Sequence, residues 1–593
     1  MQIEVYAPDA SAVELVVDAG RVPLERIGER WHGSVADGER YGIVATGPGG
    51  SRIENDRILV DPYATAVWFP PGHRRDQARP GAFADPENTA RAQALAWPRP
   101  RRQRHTTRPL VVHETHVRGM TKRRERPDAG TYAALVDELP RLRELGVSVI
   151  ELLPVHQFDP DEVNYWGYMS LVFGATHRQY AAGDDANREL ADLVAAAHEH
   201  DIEVWLDVVF NHTTEEDEHG PTYNLRGLAD GDYYAVRDDG SYINDAGCGN
   251  IIDTHSAVAR ELIMESLDRF AGLGVDGFRF DLATVLARNP EFVVEIGDWA
   301  EERGVRLIAE AWDVVRYQVG RAWPDPRWMQ WNGRYRDDVR GFLRGEGALV
   351  PAMIQRLQGS PDLFDAPEKS VNFLTAHDGF TMFDLVAHDR KHNDANGWGG
   401  TDGTDDNRSW NCGWEGESGA PPEVATLRRR QLRNAWTLLL LSHGTPMHVA
   451  GDEFARTQGG NNNAYNQDNE TSWVDWARRE EWLYLEEFVQ RLISLRSDHD
   501  VLTQSDWWGS DVEWFGVSGA PDLADHSRSL AWHLPGLYVM ANMWWEPLAF
   551  DIQASGDWQV ALDTADERGF VDSVAVEQSV VVGPRSIVVL IAP

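Results

Sequence analysis

The chain has 593 residues, of which 42% are hydrophobic and 25% are charged, a balance typical of a globular protein with several domains. Its formal net charge of −39 should repel polyanions and anionic lipid surfaces. The composition therefore argues against nucleic acid and membranes as partners, and it is compatible with a neutral substrate.

The chain carries few signals of export or covalent cross-linking. Two cysteines, Cys248 and Cys412, are too few for a disulfide framework, and two free thiols are favoured over a single bridge. The first residues lack the basic and apolar regions of a signal peptide, and no apolar run reaches the ~18 residues that span a bilayer. We therefore expect a cytoplasmic protein.

Short strand patterns separated by Gly, Pro and Asp occupy both ends of the chain. IEVYAP, AVELVV, YGIVATG and RILVDPY predict a β-sandwich, which with a basic, proline-containing linker makes up residues 1–105. SLAWHL, YVMANMWW and SIVVLIAP predict a second β-sandwich over residues 501–593. The segment between them, residues 106–500, has a different periodicity.

In this central segment, apolar strands alternate with amphipathic helices, two of which are closed by Gly146 and Gly274. The strand patterns lie at 110–117, 147–155, 202–210, 277–283, 306–312, 329–340, 371–376 and 445–451, the sixth being the weakest. This alternation predicts an α/β fold with a parallel sheet, and about eight strands fit a (β/α)₈ TIM barrel. The rival is an open doubly wound sheet, but no glycine-rich phosphate loop follows the first strand.

Two long insertions, 213–256 and 380–425, follow the third and seventh predicted strands. In a TIM barrel, these positions lie at the face where active sites form.

Four of the predicted strands end in charged or imidazole side chains. A buried carboxylate is costly unless it is paired or functional, and a single one would indicate a structural ion pair. Four such strand ends on one face instead indicate an active site. The residues are Asp207, His212, Arg279, Asp281, Glu310, His377 and Asp378.

The pair Asp281 and Glu310 suits a glycosidase. Arg279 and Asp281 are two residues apart on one strand, so both point into the barrel, and Arg279 should keep Asp281 ionised as a nucleophile. Glu310 ends the next strand, ~4.8 Å away, among apolar neighbours that favour a protonated general acid. Because retaining glycosidases need a separation of ~5–5.5 Å, this placement predicts retention.

Three further side chains are expected to face the sugar. Asp378 should approach from across the barrel and stabilise positive charge in the transition state. His212 and His377 should donate hydrogen bonds to the sugar hydroxyls.

Four strings resemble, in order and spacing, the signature regions of the α-amylase superfamily of glycoside hydrolases, a resemblance that extends over nearly the whole chain. They are DVVFNH (207–212), GFRFDLA (277–283), AEAWD (309–313) and TAHD (375–378). The resemblance implies that Asp281 is the nucleophile, Glu310 the acid/base and Asp378 the transition-state stabiliser.

The same resemblance implies roles for the side chains around these carboxylates. His212, Arg279 and His377 would line the subsite of the glucose whose bond is cut, and Asp207 would support them. In the string NYWGY (164–168), Tyr168 would stack on that glucose, and Trp166 is also predicted to bind substrate.

Within the superfamily, the chain is most similar to isoamylase and the bacterial glycogen debranching enzymes. The strings that carry this likeness include HETHVRGMT (113–121), QWNGRYRDDVRGF (330–342), DDNRSWNCGWEGE (405–417) and GDEFARTQGGNNNAYNQDN (451–469). It implies a carbohydrate-binding-like N-terminal sandwich, here without its usual first strand. It also implies hydrolysis of α-1,6 branch linkages in glycogen, amylopectin or limit dextrins.

No cofactor is implied. Asn211 stands where calcium-binding relatives place a ligand, but no cluster of oxygen ligands surrounds it in the sequence, so no metal site is predicted.

Two other functions stay open at this point. An α-1,4-acting amylase or a 4-α-glucanotransferase would use the same catalytic residues, because the choice of linkage lies in the loops. A non-catalytic glycogen-binding protein is disfavoured, since all three carboxylates are present.

Overall fold

A computed structural model describes residues 1–48, 52–576 and 578–592. Its centre is a closed barrel of eight strands, flanked by separate β-sheets formed from both ends of the chain. This confirms the predicted fold class and excludes the open sheet. Within the described ranges, no helix is both long and apolar enough to cross a membrane.

The eight barrel strands are all parallel, and the last pairs with the first. The weakly patterned sixth strand is present but has only three residues. In chain order they are β1 (Val112–Thr115), β2 (Val149–Leu152), β3 (Glu203–Val208), β4 (Gly277–Phe280), β5 (Arg306–Ala309), β6 (Met329–Trp331), β7 (Ser370–Phe373) and β8 (Thr445–Val449).

Helices surround the barrel and pack their apolar faces against it. Gly146 ends one of them in the left-handed conformation, with a φ of 104°, which favours glycine. The α-helices are Val117–Thr121, Tyr132–Val136, Leu139–Leu145, Ala186–Glu199, Leu225–Tyr233, Ala257–Gly272, Pro290–Arg303, Gly333–Leu343, Val350–Leu357, Pro422–Leu440, Trp476–Glu481 and Leu483–Ser497.

Side chains that point into the barrel alternate along each strand with side chains that face the helices. Many of the inward-facing residues form one apolar cluster: Val112, Val149, Trp205, Ile308, Met329, Trp331, Val371, Phe373 and Met447. The next inward positions, toward the carboxyl ends of β1 to β5, are charged and buried: Glu114, Glu151, Asp207, Arg279 and Glu310. A buried charged layer is costly unless its members are paired, so this layer defines the functional end of the barrel.

The N-terminal region forms two antiparallel sheets that pack against the barrel loops. One contains Gln2–Tyr6, Arg30–Ser34 and Glu25–Ile27; the other contains Gly20–Pro23, Ala12–Val17, Arg40–Thr46, Arg91–Gln93 and Ala66–Trp68.

The predicted strand RILVDPY is wrong. In this segment only Leu59 pairs with a strand residue, in an isolated bridge to Ile43. The pairing stops there because the N–H of the next residue, Val60, donates to the carbonyl of Tyr223 in a barrel loop.

The C-terminal region forms a six-stranded antiparallel sheet with a two-stranded sheet beside it. The larger contains Glu513–Phe515, Ser529–Leu534, Leu537–Asn542, Ser586–Ile591, Trp558–Asp563 and Phe570–Val576; the smaller contains Leu548–Asp551 and Ser579–Val582. The domain boundaries near residues 105 and 500 stay a prediction. Cys248 and Cys412 are both free thiols, as expected.

Candidate active site

Asp281 and Glu310 lie side by side at the carboxyl ends of β4 and β5. Phe280 on β4 and Ala309 on β5 are register partners, and the two carboxylates belong to the residues that directly follow them. The backbone N–H of Glu310 donates to the carbonyl of Phe280 at 3.1 Å. The backbone pairing of the two strands therefore continues to the residues that carry the carboxylates. Both residues are buried, at 9% and 5% exposure.

Arg279 is a buried cation that contacts three carboxylates. Its Nη1 donates to Asp207 Oδ2 at 2.7 Å and to Asp281 Oδ1 at 3.1 Å, and its Nη2 donates to Glu310 Oε2 at 2.9 Å. The guanidinium also lies 4.1 Å from the ring centroid of Trp331. A planar fork of this kind fixes several carboxylates at once, which a point charge cannot do.

Glu310 is tuned to change its protonation state near neutral pH. Burial raises its pKa to about 7, with the negative charge of Asp281 adding to the shift and Arg279 opposing it. The backbone N–H of Leu282 donates to Glu310 Oε2 at 2.9 Å. Leu282 has a φ of 40°, and a non-glycine residue there costs about 1–3 kcal/mol unless its surroundings hold it. A carboxyl group with this pKa can serve as both acid and base.

Asn211 orients Asp281. Its amide Nδ2 donates to the Asp281 carbonyl at 2.9 Å and to Oδ2 of the same residue at 2.7 Å. The amide oxygen of Asn211 is paired with Nδ1 of the buried His212. The string DVVFNH thus places two adjacent side chains behind the Asp281 carboxylate.

Aromatic side chains form one wall of the site. The hydroxyl of Tyr168 donates to Asp207 Oδ2 at 2.5 Å, and its ring stacks on His377 with centroids 4.9 Å apart. Trp166 contacts the His377 ring edge-on at 5.0 Å. The Asp207 carboxyl therefore joins Tyr168 to Arg279. Burial raises the pKa of Asp207 to about 6.

His377 is held as a cation. Burial opposes its protonation, but the carboxylates of Asp378 and Glu114 outweigh it and raise the pKa of His377 to about 9. The backbone N–H of His377 donates to Glu114 Oε2 at 2.6 Å, and its ring Nδ1 lies 2.7 Å from Glu114 Oε1. Its Nε2 lies 3.7 Å from Asp378 Oδ2, and the Asp378 side chain is 64% exposed at the rim. One carboxylate, of Glu114, thus lies in the floor of the site and the other, of Asp378, at its mouth.

These contacts connect all nine predicted site residues: Trp166, Tyr168, Asp207, His212, Arg279, Asp281, Glu310, His377 and Asp378. Sequence reasoning missed Glu114, Glu151 and the orienting role of Asn211. Glu151 is buried in the floor, and its two carboxylate oxygens have no hydrogen-bond partner within the described residues. Burial, reinforced by the charges of Glu114 and Asp207, raises its pKa well above the ordinary range.

Known proteins are similar to this chain in sequence and in fold. Residues 80–247 match the family model described as alpha amylase, catalytic domain. The chain is 39% identical to a glycogen debranching enzyme of Pectobacterium atrosepticum, over 94% of this chain and 92% of that one. It is 37% identical to the glycogen operon protein GlgX homolog of Mycobacterium tuberculosis, over 96% and 85% of the two chains.

The chain belongs to the glycogen debranching enzyme family. This membership confirms the resemblance to α-amylase-type glycoside hydrolases found in the sequence. Isoamylase 1 of Oryza sativa, a chloroplastic protein, is 34% identical over 92% of this debranching-family chain and 78% of its own.

Solved pullulanases share the fold. A type I enzyme from Bacillus subtilis superimposes with a TM-score of 0.78 at 22% identity, over 100% of this chain and 84% of that one. A pullulanase from Bacillus acidopullulyticus superimposes with a TM-score of 0.77 at 21% identity, over 100% and 73%.

Proposed function

We propose that this glycoside hydrolase cleaves the α-1,6-glucosidic branch linkages of glycogen, amylopectin or their limit dextrins, with retention of configuration. The observation that carries the proposal is the side-by-side placement of Asp281 and Glu310, bridged by Arg279. The linkage is supported by the names of the relatives, glycogen debranching enzyme and isoamylase. The partner would be a branched, uncharged α-glucan.

In the first step, the Asp281 carboxylate attacks the anomeric carbon and forms a glycosyl ester. The bond from that carbon to the bridging oxygen breaks, and Glu310 gives its proton to the departing oxygen. A pKa of about 7 on Glu310 supports this role, because a substantial protonated fraction persists at neutral pH. Asp378, exposed at the rim, would stabilise the positive charge that develops on the sugar.

In the second step, water attacks the same carbon from the side that the leaving chain vacated. Glu310, now a carboxylate, takes a proton from the water, and the ester bond to Asp281 breaks. Two displacements at one carbon restore the original configuration. The neighbouring-strand register supports this sequence over a single displacement, which needs room for water between the carboxyl groups.

The aromatic wall would hold the glucose whose bond is cut. The ring of Tyr168, fixed by its hydroxyl on Asp207, would stack on the sugar, with Trp166 beside it. The cationic His377, together with His212, would donate hydrogen bonds to the sugar hydroxyls, and a charged donor makes the stronger bond.

The decisive experiment is chain-length analysis of the products from glycogen and its limit dextrin, with pullulan alongside. We expect release of linear chains, a rise in iodine colour from amylopectin, and poor action on pullulan. A rapid loss of iodine colour would instead indicate an α-1,4 amylase. A ladder of longer products from maltooligosaccharides would indicate a 4-α-glucanotransferase. The proposal fails if no branched glucan yields new reducing ends.

The covalent step has a separate test. Asp281→Asn should lower kcat by several orders of magnitude, because an amide cannot form the ester. The control is Asp238→Asn, which changes an exposed carboxylate in the loop after β3 and should keep full activity. An active Asp281→Asn variant would overturn the assignment of the nucleophile.

A further inference from the structure

A second cluster of ligating side chains lies outside the active site, in the loop that follows β7. It consists of His388, His392 and Glu415, whose ligand atoms all lie within 4.8 Å of one another. Nδ1 of His388 is 3.4 Å from Glu415 Oε1, and Nε2 of His392 is 2.9 Å from the same oxygen. Two imidazoles and one carboxylate that converge in this way match a ligand set used by zinc.

One member of the cluster is buried without a hydrogen bond. The side chain of His388 is 7% exposed, and its Nδ1 has no hydrogen-bond partner within the described part of the chain. His392 and Glu415 are more open, at 44% and 35% exposure. A buried ring nitrogen therefore faces a carboxylate that solvent ions can reach, and an unsatisfied buried polar atom calls for a partner.

The groups behind the ligands favour metal binding as well. Nε2 of His388 lies 3.8 Å from the carboxylate of the buried Asp384, which is beyond hydrogen-bond distance but places a second negative charge beside the cluster. Glu415 Oε2 accepts from the N–H of Asp389 at 3.0 Å and from Asn411 Nδ2 at 3.1 Å. Oε1 faces both imidazoles and accepts one long hydrogen bond, from the N–H of Arg390 at 3.4 Å.

The backbone at Gly460 fits closely around the two rings. A Cβ atom there would lie 2.6 Å from Cδ2 of His392 and 2.8 Å from Nδ1 of His388, so any larger residue would displace them. The N–H of His392 donates to the Gly460 carbonyl at 2.7 Å. The cluster therefore sits where the loop after β7 meets the segment after β8.

We propose that His388, His392 and Glu415 bind a divalent cation of the zinc class, which cross-links two parts of the loop after β7 where that loop packs against Gly460. The fourth tetrahedral position is open to water. Calcium and magnesium suit the site less, because they require six or more oxygen ligands or near-ideal octahedral geometry. The site is distinct from the proposed glycosidase chemistry and does not depend on it.

A second histidine pair serves as an internal comparison. His113 and His448 lie near Glu453, but Arg141 Nη1 is 3.0 Å from Glu453 Oε1. The guanidinium already neutralises that carboxylate and would repel a cation. We expect no metal there.

The test is titration of the metal-free full chain with Zn²⁺ by calorimetry, and with Co²⁺ by its visible absorption. We expect one site per chain, a tetrahedral Co²⁺ spectrum, and a Zn²⁺-dependent rise in Tm. His392→Gln and Glu415→Gln, which alter exposed ligands, should each weaken binding at least about tenfold, because even the loss of a partner behind a ligand costs about 10–100-fold in affinity. Gly460→Ala should weaken it too.

The controls are Glu417→Gln, which removes a neighbouring carboxylate paired with Arg478, and His448→Leu in the comparison cluster. Both should keep wild-type affinity, and far-UV circular dichroism checks that every variant is folded. The proposal is overturned if the wild type binds neither ion, if the ligand variants bind as tightly as the wild type, or if only His448→Leu loses the site.

Discussion

The side-chain amide of Asn211 donates hydrogen bonds to both the carboxylate and the backbone carbonyl of Asp281, at 2.7 and 2.9 Å. These bonds fix the main chain and the side chain of the proposed nucleophile together. Arg279 contacts the other carboxylate oxygen, so Asp281 is held from two directions. Precise orientation of a reacting group lowers the barrier without any new chemistry.

Asn211→Ala should therefore lower kcat with little change in KM. A hydrogen bond to a charged group contributes about 1.5–3 kcal/mol, which corresponds to a roughly 10–100-fold loss. The measurement is steady-state kinetics on a soluble limit dextrin. Asn187→Ala is the matched control, since this buried amide bonds to the carbonyl of Thr65, away from the site. A variant whose thermal stability falls while kcat holds would show that Asn211 is structural only.

The pH profile should report Glu310. Its pKa of about 7 lies above the ordinary value, and the general acid must be protonated, so kcat/KM should fall as pH rises through about 7. In Glu310→Gln, this alkaline limb should disappear along with most of the activity. With α-maltosyl fluoride, whose leaving group needs no proton, the variant should release a burst of fluoride and then stall. An alkaline limb that survives in Glu310→Gln would assign it to another group.

Arg279→Lys should separate charge from geometry. A lysine ammonium cannot reach Asp207, Asp281 and Glu310 together, so we expect kcat to fall about 10–100-fold from the lost charged hydrogen bonds. Arg279→Gln removes the positive charge that lowers the pKa of Glu310, so it should also move the alkaline limb to higher pH, whereas Arg279→Lys keeps the charge and should move the limb little. The control is Arg75→Lys, because Arg75 forms a buried ion pair with Glu162, and this variant should leave the alkaline limb in place. An unshifted limb in Arg279→Gln would contradict the electrostatic coupling.

Glu151→Gln should stabilise the protein at alkaline pH. Burial raises the pKa of Glu151 well above its unfolded value, so the folded state keeps a proton that the unfolded state releases. Its contribution is fully present below the unfolded pKa and is lost as pH rises toward the folded pKa. The neutral amide avoids this loss. In urea unfolding, the variant should gain more free energy of unfolding over the wild type at pH 8 than at pH 5. An equal gain at both pH values would disprove the raised pKa of Glu151.

The barrel and the principal carboxylates could be predicted from the sequence because both depend on local patterns. Strand alternation along FRFD is enough to place Arg279 and Asp281 on the same inward face. The contacts of Glu114 with His377 could not be predicted, because they cross from β1 to the end of β7 and require closure of the barrel. RILVDPY failed for a related reason, since its hydrogen-bond partner lies in a distant loop.

The register of Phe280 with Ala309 also bears on how such a chain can be altered. Backbone pairing in the barrel wall sets the distance between the two proposed catalytic groups, and the long loops take no part in it. Loop exchange with a relative should thus change which bond in a glucan is cut, while the anomer of the product stays the same. Stereochemistry and regiochemistry would then be inherited from separate parts of one chain.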